Sequence, residues 1–254
     1  MLDKIIEAVK KAVEIYKNAG NDLDISEKTS NVNLVTKYDK MIQKFLIDEL
    51  GKITPGASFF CEEGDDNKQL TDGYCYIIDP IDGTTNFIKG FQHSAISVGL
   101  AKDKELIIGV VADPDKNNLY YAEKGKGAYL NGKRINVSDC GLAESLVMFG
   151  TCPYEHELAH KTFELTEKVF NKALEVRRSG SAALDICYVA SGKADLYYEM
   201  IIRPWDWAGA SVILLEAGGV LSKIDSSPID LSKTDSYLCG NINNIKEFNE
   251  IYNS

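Results

Sequence analysis

Near the start of the chain the apolar positions recur every three to four residues. Leu2, Ile5, Ile6, Val9, Val13 and Tyr16 fall on one helical face that Gly20 closes, and Ile42, Phe45 and Leu46 mark a second helix ending near Gly51. Between them residues 21–33 are rich in polar side chains, which predicts a mobile loop. From residue 74 to residue 135 the period changes: YCYIID, SAISVGL, ELIIGVVAD, NLYYAE and AYL read as strands, the last closed by the hairpin pair Asn131-Gly132. Their short links predict a largely antiparallel sheet.

The second half alternates more evenly. A helical period over 158–170 is followed by EVRRS, a helix of small residues in AALDICYVAS, a strand in ADLYYEM and a helix over 207–217 that Gly218 and Gly219 stop. A short strand over 220–224 and a helix around 245–252 complete the pattern, with no internal repeat or low-complexity linker. These elements predict an α+β layered sandwich in two packed halves, 1–140 and 141–254, with a soft boundary near Gly141.

Composition narrows the function classes. A chain of 254 residues, 44% hydrophobic and 26% charged, can bury a large core. Its apolar runs are broken by charges before they could span a bilayer, and MLDKIIEAVKKAVEIYK is amphipathic without signal-peptide architecture, so a cytoplasmic protein with no membrane partner is expected. Six cysteines at Cys61, Cys75, Cys140, Cys152, Cys187 and Cys239, with no C-x-x-C pair, read as free and mostly buried thiols. The net charge of −10 argues against direct nucleic-acid binding. It leaves an anionic small molecule open, because a metal ion can reverse the local field.

The chemistry concentrates in CYIIDPIDGTTNF, where an apolar strand ends on Asp79 and Asp82. Desolvating two carboxylates so close together is costly without a cation. Pro80 interrupts a regular ladder and Gly83 permits an unusual turn, so both side chains can aim at one point. FFCEEG adds Glu62 and Glu63, RPWDWAGAS adds Asp206, and Asp39 precedes the second helix. Taken singly, Asp206 could cap its helix, Asp39 could be a helix-start acid, and Glu62, Glu63, Gly64, Asp65 and Asp66 could form a solvated turn. The Asp79 and Asp82 pair instead favours a metal, and an all-oxygen donor set favours Mg2+ over zinc. His156 and His160 stand one helical turn apart without a nearby acid and read as surface residues. Gly83, Thr84 and Thr85 supply amides and hydroxyls suited to a phosphate oxygen.

The order E-E, then DPIDGTTNF, then GSAA, then WDWAGA, then EAGG spans nearly the whole chain and resembles the inositol monophosphatase family of Mg2+-dependent, Li+-sensitive phosphatases. The resemblance implies a five-layer αβαβα sandwich, a homodimer and two to three Mg2+ ions per site. It implies that Glu62, Asp79 and the Ile81 carbonyl bind a first Mg2+, that Asp79, Asp82 and Asp206 bind a second, and that Glu62 shares a weaker third. Thr84 matches the threonine that orients the attacking water, supported by Asp39, so that Thr84, Asp39 and Glu62 form the catalytic set; the Gly83 and Thr84 amides would hold the phosphate.

On the substrate side, Glu199 matches the acceptor of inositol hydroxyls, Ala182 a backbone contact to the same ring, and Arg203 a place where animal members commonly carry His. Taken alone, Glu199 could be a strand-end charge facing solvent, but the substrate-binding reading is favoured. Arg177 and Arg178 precede GSAA, and with Arg203 they leave room for a second phosphate. Inositol 1-phosphate leads the expected substrates, hydrolysed by a metal-activated water without a covalent enzyme intermediate. Fructose 1,6-bisphosphate, histidinol phosphate and 3′-phosphoadenosine 5′-phosphate stay open. So does a role, found among bacterial members, as an RNA-polymerase-associated processing or antitermination factor. A basic surface patch at the three arginines would favour that role, and their placement in the mouth of the site would oppose it.

Overall fold

The structure is a computed structural model that describes residues 1–20, 22–30, 33–64 and 70–254. Helices α1 (Leu2–Lys17) and α2 (Lys37–Ile53) form the first layer, with a short ribbon of β1 (Ser26–Ser30) and β2 (Asn33–Val35) between them. They cover a sheet of β3 (Ser58–Cys61), β4 (Tyr74–Asp82), β5 (Ala95–Lys102), β6 (Glu105–Asp113), β7 (Asn118–Glu123), β8 (Ala128–Leu130) and β9 (Lys133–Ile135), ordered as in the sequence. All its neighbours are antiparallel except the parallel pair β3 and β4. Helix α3 (Thr84–Lys89) follows β4 directly.

The second sheet is mixed. It contains β10 (Leu146–Phe149), β11 (Glu175–Arg177), β12 (Leu196–Ile202), β13 (Val220–Ser222) and β14 (Asp235–Gly240) in the order β11-β10-β12-β14-β13. Helices α5 (Ala182–Ala190) and α6 (Pro204–Glu216) lie between the sheets, and α4 (Ala159–Phe170) and α7 (Ile242–Tyr252) cover the far face. The architecture is therefore the αβαβα sandwich expected, with a largely antiparallel first sheet and a mixed second one.

Alternation along single strands divides the core. On β4, Tyr76 and Ile78 pack with Ile5, Val9, Ile42 and Leu46 on one side, while Cys75 and Ile77 pack with α5 and α6 on the other. Burial on both faces explains the near-continuous apolar run that ends at Asp79. On β12, Leu196 and Tyr198 face α4 and α7, and Tyr197 faces inward. Glu199, two residues beyond Tyr197, shares that inward side.

Several expectations need correction. Where it is described, the segment read as a loop over 21–33 carries β1 and the first residue of β2; a short polar ribbon has no apolar alternation to reveal it. Residues 21, 31 and 32 lie outside the described residues, as do Asp65 and Asp66. Strands β10 and β14 carry no prior expectation, because LVMF and YLCG are short runs without clear turn signals. Asp39 does not precede α2 but sits at its third position, after the cap Thr36. Helix α6 begins at Pro204 instead of 207, with proline at its first turn, so Asp206 lies inside it.

Candidate active site

The acids meet where β4 ends. Asp79 pairs with Ser97 and Asp82 with Ala95, so three steps on β4 oppose two on β5. In an unbroken strand residues three apart point to opposite faces; the extra residue of this bulge brings both side chains to the same side. Pro80 has no amide to lose from the ladder. The Ile81 amide donates to Asp79 Oδ1 at 3.0 Å, a local turn that fixes the carboxylate.

Gly83, the cap of α3, takes φ 88°, a conformation that favours glycine. A Cβ there would also lie 3.0 Å from the Gly180 carbonyl and 3.1 Å from that of His93. The tight turn presents the Thr84 hydroxyl, 3.1 Å from the Ile81 carbonyl and 3.3 Å from Asp39 Oδ1. One hydroxyl proton serves one acceptor at a time. Buried Asp39 is fixed by its other oxygen, Oδ2, which accepts from the Thr36 amide at 2.8 Å and the Thr36 hydroxyl at 2.6 Å.

Glu62 follows β3, and its amide extends the parallel pairing by donating to the Ile78 carbonyl at 3.1 Å. The adjacent Glu63 turns into the protein: Gln43 clamps its backbone with bonds of 2.7 and 3.0 Å. Asp206 comes from α6, where its Oδ2 accepts from the Arg203 amide at 2.9 Å. Asp82 is held from the second half of the chain, its Oδ2 accepting from the Ser181 hydroxyl at 2.6 Å and the Ala183 amide at 2.7 Å.

These groups line one cavity of about 600 Å3: Glu62, Asp79, Ile81, Asp82, Gly83, Thr84, Thr85, Ala182, Glu199, Arg203 and Asp206 all face it, and Asp39 stands behind Thr84. Desolvation pushes Asp79 and Asp206 well above the usual carboxylate range, and the neighbouring acids push them further. Burial lifts Asp82 to about 6 against the pull of Ser181, Ala183 and Ala182. Among the described residues no three Asp, Glu, His or Cys side chains are closed around one point as a finished metal shell would be. The crowded all-oxygen set nevertheless fits a hard divalent cation, whose charge offsets the burial, and the repulsion beside it, that raise Asp79, Asp82 and Asp206.

Glu199 does not face bulk solvent. It lies half-buried in the cavity wall, where Tyr197 donates to Oε2 at 2.5 Å and burial lifts the carboxyl to about 7. Arg203 lays its guanidinium 4.9 Å from the Tyr154 ring centre, and Arg178 donates through Nε to Thr151 at 3.2 Å; both arginines line the cavity. Arg177 is exposed, pairs with Glu175 at 3.1 Å and does not line the cavity that Arg178 and Arg203 share. His156 and His160 are exposed, and the six cysteines are free.

Sequence reasoning missed Ser181, Asp185, Tyr197 and Gly150. Ser181 sits within the GSAA motif, where only Ala182 was singled out. A buried acid within the apolar helix AALDICYVA is itself a signal, and Asp185 accepts from Ser179 at 2.6 Å to brace the turn before α5. Tyr197 and Gly150 carry no signal without the fold.

Comparison with known proteins agrees with this arrangement. The profile of the Inositol monophosphatase family matches residues 1–252. The human protein named Inositol monophosphatase 1 is 38% identical over 246 residues, covering 91% of this chain and 88% of that protein. Nus factor SuhB of Escherichia coli K12 is 35% identical over 226 residues, covering 87% and 84%. A solved structure of an IMPase from Thermotoga maritima superposes with a TM-score of 0.89 at 30% identity, covering 99% of this chain and 96% of that one.

Proposed function

The chain belongs to the inositol monophosphatase family, and from that premise we propose that its acidic cavity hydrolyses a phosphate monoester with Mg2+, myo-inositol 1-phosphate first among its substrates. The family is one of metal-dependent phosphatases. The observation that carries the reading is the convergence of Glu62, Asp79, Asp82 and Asp206, from three separate stretches of chain, on the cavity that holds Thr84.

In this reading Glu62, Asp79 and the Ile81 carbonyl hold one Mg2+, Asp79, Asp82 and Asp206 a second, and Glu62 shares a third. Bound there, the metal supplies positive charge that acidifies a water and offsets the phosphate oxygens. The protein's own groups do the positioning. When the Thr84 hydroxyl donates its hydrogen bond to Asp39 Oδ1, the Thr84 oxygen turns its lone pairs to a water, accepts from it and orients it for in-line attack. The Gly83 and Thr84 amides hold the phosphate. Glu199, Arg203 and Ala182 form the wall facing the leaving alcohol, with Glu199 accepting from its hydroxyls.

The relative named Nus factor raises a second reading, docking to the transcription machinery. Two of the three arginines that such a patch would need line the acidic cavity and the third is paired, which favours hydrolysis. As the family resemblance implies, we extend the proposal to a homodimer. A panel of esters assayed with Mg2+, including inositol 1-phosphate, fructose 1,6-bisphosphate, histidinol phosphate and 3′-phosphoadenosine 5′-phosphate, tests the reading. Preferred release from inositol 1-phosphate is expected; release from none of them would overturn it.

A further inference from the structure

Gly150 directly follows β10, and its amide donates to the Tyr198 carbonyl at 2.9 Å. Its φ is not in the left-handed region, so the backbone itself does not ask for glycine. The reason lies across the wall. A Cβ at residue 150 would lie 2.1 Å from Glu199 Oε2, 2.2 Å from its Cδ and 2.7 Å from Oε1, and these are its three nearest neighbours. The Glu199 carboxylate thus occupies the space of a methyl group. The fully buried Tyr197 donates through its hydroxyl to the same Oε2 at 2.5 Å.

We propose that Gly150 is a specificity-determining residue: by lacking a side chain it seats the Glu199 carboxylate against the backbone of β10, and so sets how far that acceptor stands from the leaving alcohol. This rests on the reading of the cavity as a phosphomonoesterase whose Glu199 faces the alcohol. The seat is also a chemical filter. A retracted carboxylate leaves room for a ring with hydroxyls and offers them a charged acceptor, whereas an advanced one fills that room. With alanine at 150 the carboxylate must move more than 1 Å, since ordinary contact with a Cβ begins at 3.4 Å. Tyr197 cannot follow it, being packed between the sheets.

The test compares wild type, Gly150→Ala, Glu199→Ala and the double variant, by thermal melting and by kinetics with Mg2+ on inositol 1-phosphate and p-nitrophenyl phosphate. Gly150→Ala should lower the melting temperature and cut kcat/KM for inositol 1-phosphate about tenfold, mainly through KM, since misplacing a positioning group by about 1 Å commonly costs that much or more. The nitrophenyl ester, which has no ring hydroxyls, should lose less. Adding Gly150→Ala to Glu199→Ala should change neither melting nor the ratio of the two esters, because the obstructed group is gone. Equal losses on both esters, or an undiminished effect of Gly150→Ala beside Glu199→Ala, would overturn the proposal. If Gly150→Ala alone fails to fold, recovery of folding in the double variant supports it and failure of both contradicts it. A wild type inactive on both esters would instead refute the phosphatase reading, while the melts would still decide the contact.

Discussion

Asp82→Asn separates the stability cost of the acidic cluster from its function. Asparagine keeps a carbonyl oxygen for the Ser181 hydroxyl and the Ala183 amide, so the tie to α5 survives. What disappears is a titration. The Asp82 carboxyl is raised from 3.8 to about 6 in the folded protein, a gap worth about 3 kcal/mol at roughly 1.4 kcal/mol per pKa unit. That figure is an upper value, since Asp79 and Asp206 share the same protons. A carboxyl with a raised folded-state pKa binds more protons folded than unfolded between those two values. Stability therefore falls as pH rises from about 4 to about 6, and the loss is complete above that window. The amide cannot undergo this loss. In EDTA at pH 7.5 the variant should melt higher than wild type by several degrees, at about 2 to 4 °C per kcal/mol for a chain of this size. At pH 4.5 the difference should shrink to less than half, and added Mg2+ should raise the wild type more than the variant, which loses only the ion held through Asp82. A variant that melts lower than wild type in EDTA at pH 7.5, or that gains equally at both pH values, would refute the electrostatic account of the cluster.

Other outcomes follow from the same geometry. Above about pH 8, where the Glu199 carboxyl that burial lifts to about 7 is ionised, Glu199→Gln should lower kcat/KM for inositol 1-phosphate by roughly one to two orders of magnitude, because hydrogen bonds to a charged acceptor are worth about 1.5 to 3 kcal/mol. p-Nitrophenyl phosphate should lose much less, and equal losses measured by phosphate release would tie Glu199 to the metals or the fold. Ser181→Ala removes the hydroxyl that fixes Asp82 Oδ2 and should weaken Mg2+ binding about 10- to 100-fold in titration calorimetry, as losses of a partner that orients a metal ligand do; unchanged affinity would dismiss that role. Li+ should inhibit turnover in an uncompetitive or mixed manner towards substrate, and purely competitive inhibition in initial-rate assays would count against a cation trapped with phosphate.

The parts legible from sequence are those with a local cause. The helical period of α1, the hairpin pair Asn131-Gly132 and the unbroken apolar run of β4 each state their own structure. So does the abrupt arrival of Asp79 and Asp82 at the end of that run, although the bulge that turns both to one side depends on pairing with β5. Tertiary placement was out of reach. Asp39 looks like an ordinary acid beside a helix start; only the fold puts its Oδ1 within 3.3 Å of the Thr84 hydroxyl while Thr36 donates to Oδ2. Ser181 and Asp82 are 99 residues apart, and nothing in the spacing announces their bond. The same holds for Gly150, whose missing side chain has meaning only once β10 lies beside β12. The assembly of Glu62 and Asp206 with the β4 acids was anticipated through the family resemblance and not through periodicity.

The central claim is that this cluster of acids works by holding a divalent cation against a phosphate ester. It is tested most directly by stripping the protein with EDTA and following phosphate release from myo-inositol 1-phosphate as Mg2+ is returned. The account predicts no release without metal, a saturable rise as Mg2+ is added, and almost none at any Mg2+ concentration with Asp206→Asn, because an amide is a poor Mg2+ ligand. Undiminished turnover in EDTA, or Asp206→Asn that responds to Mg2+ as wild type does, would contradict it.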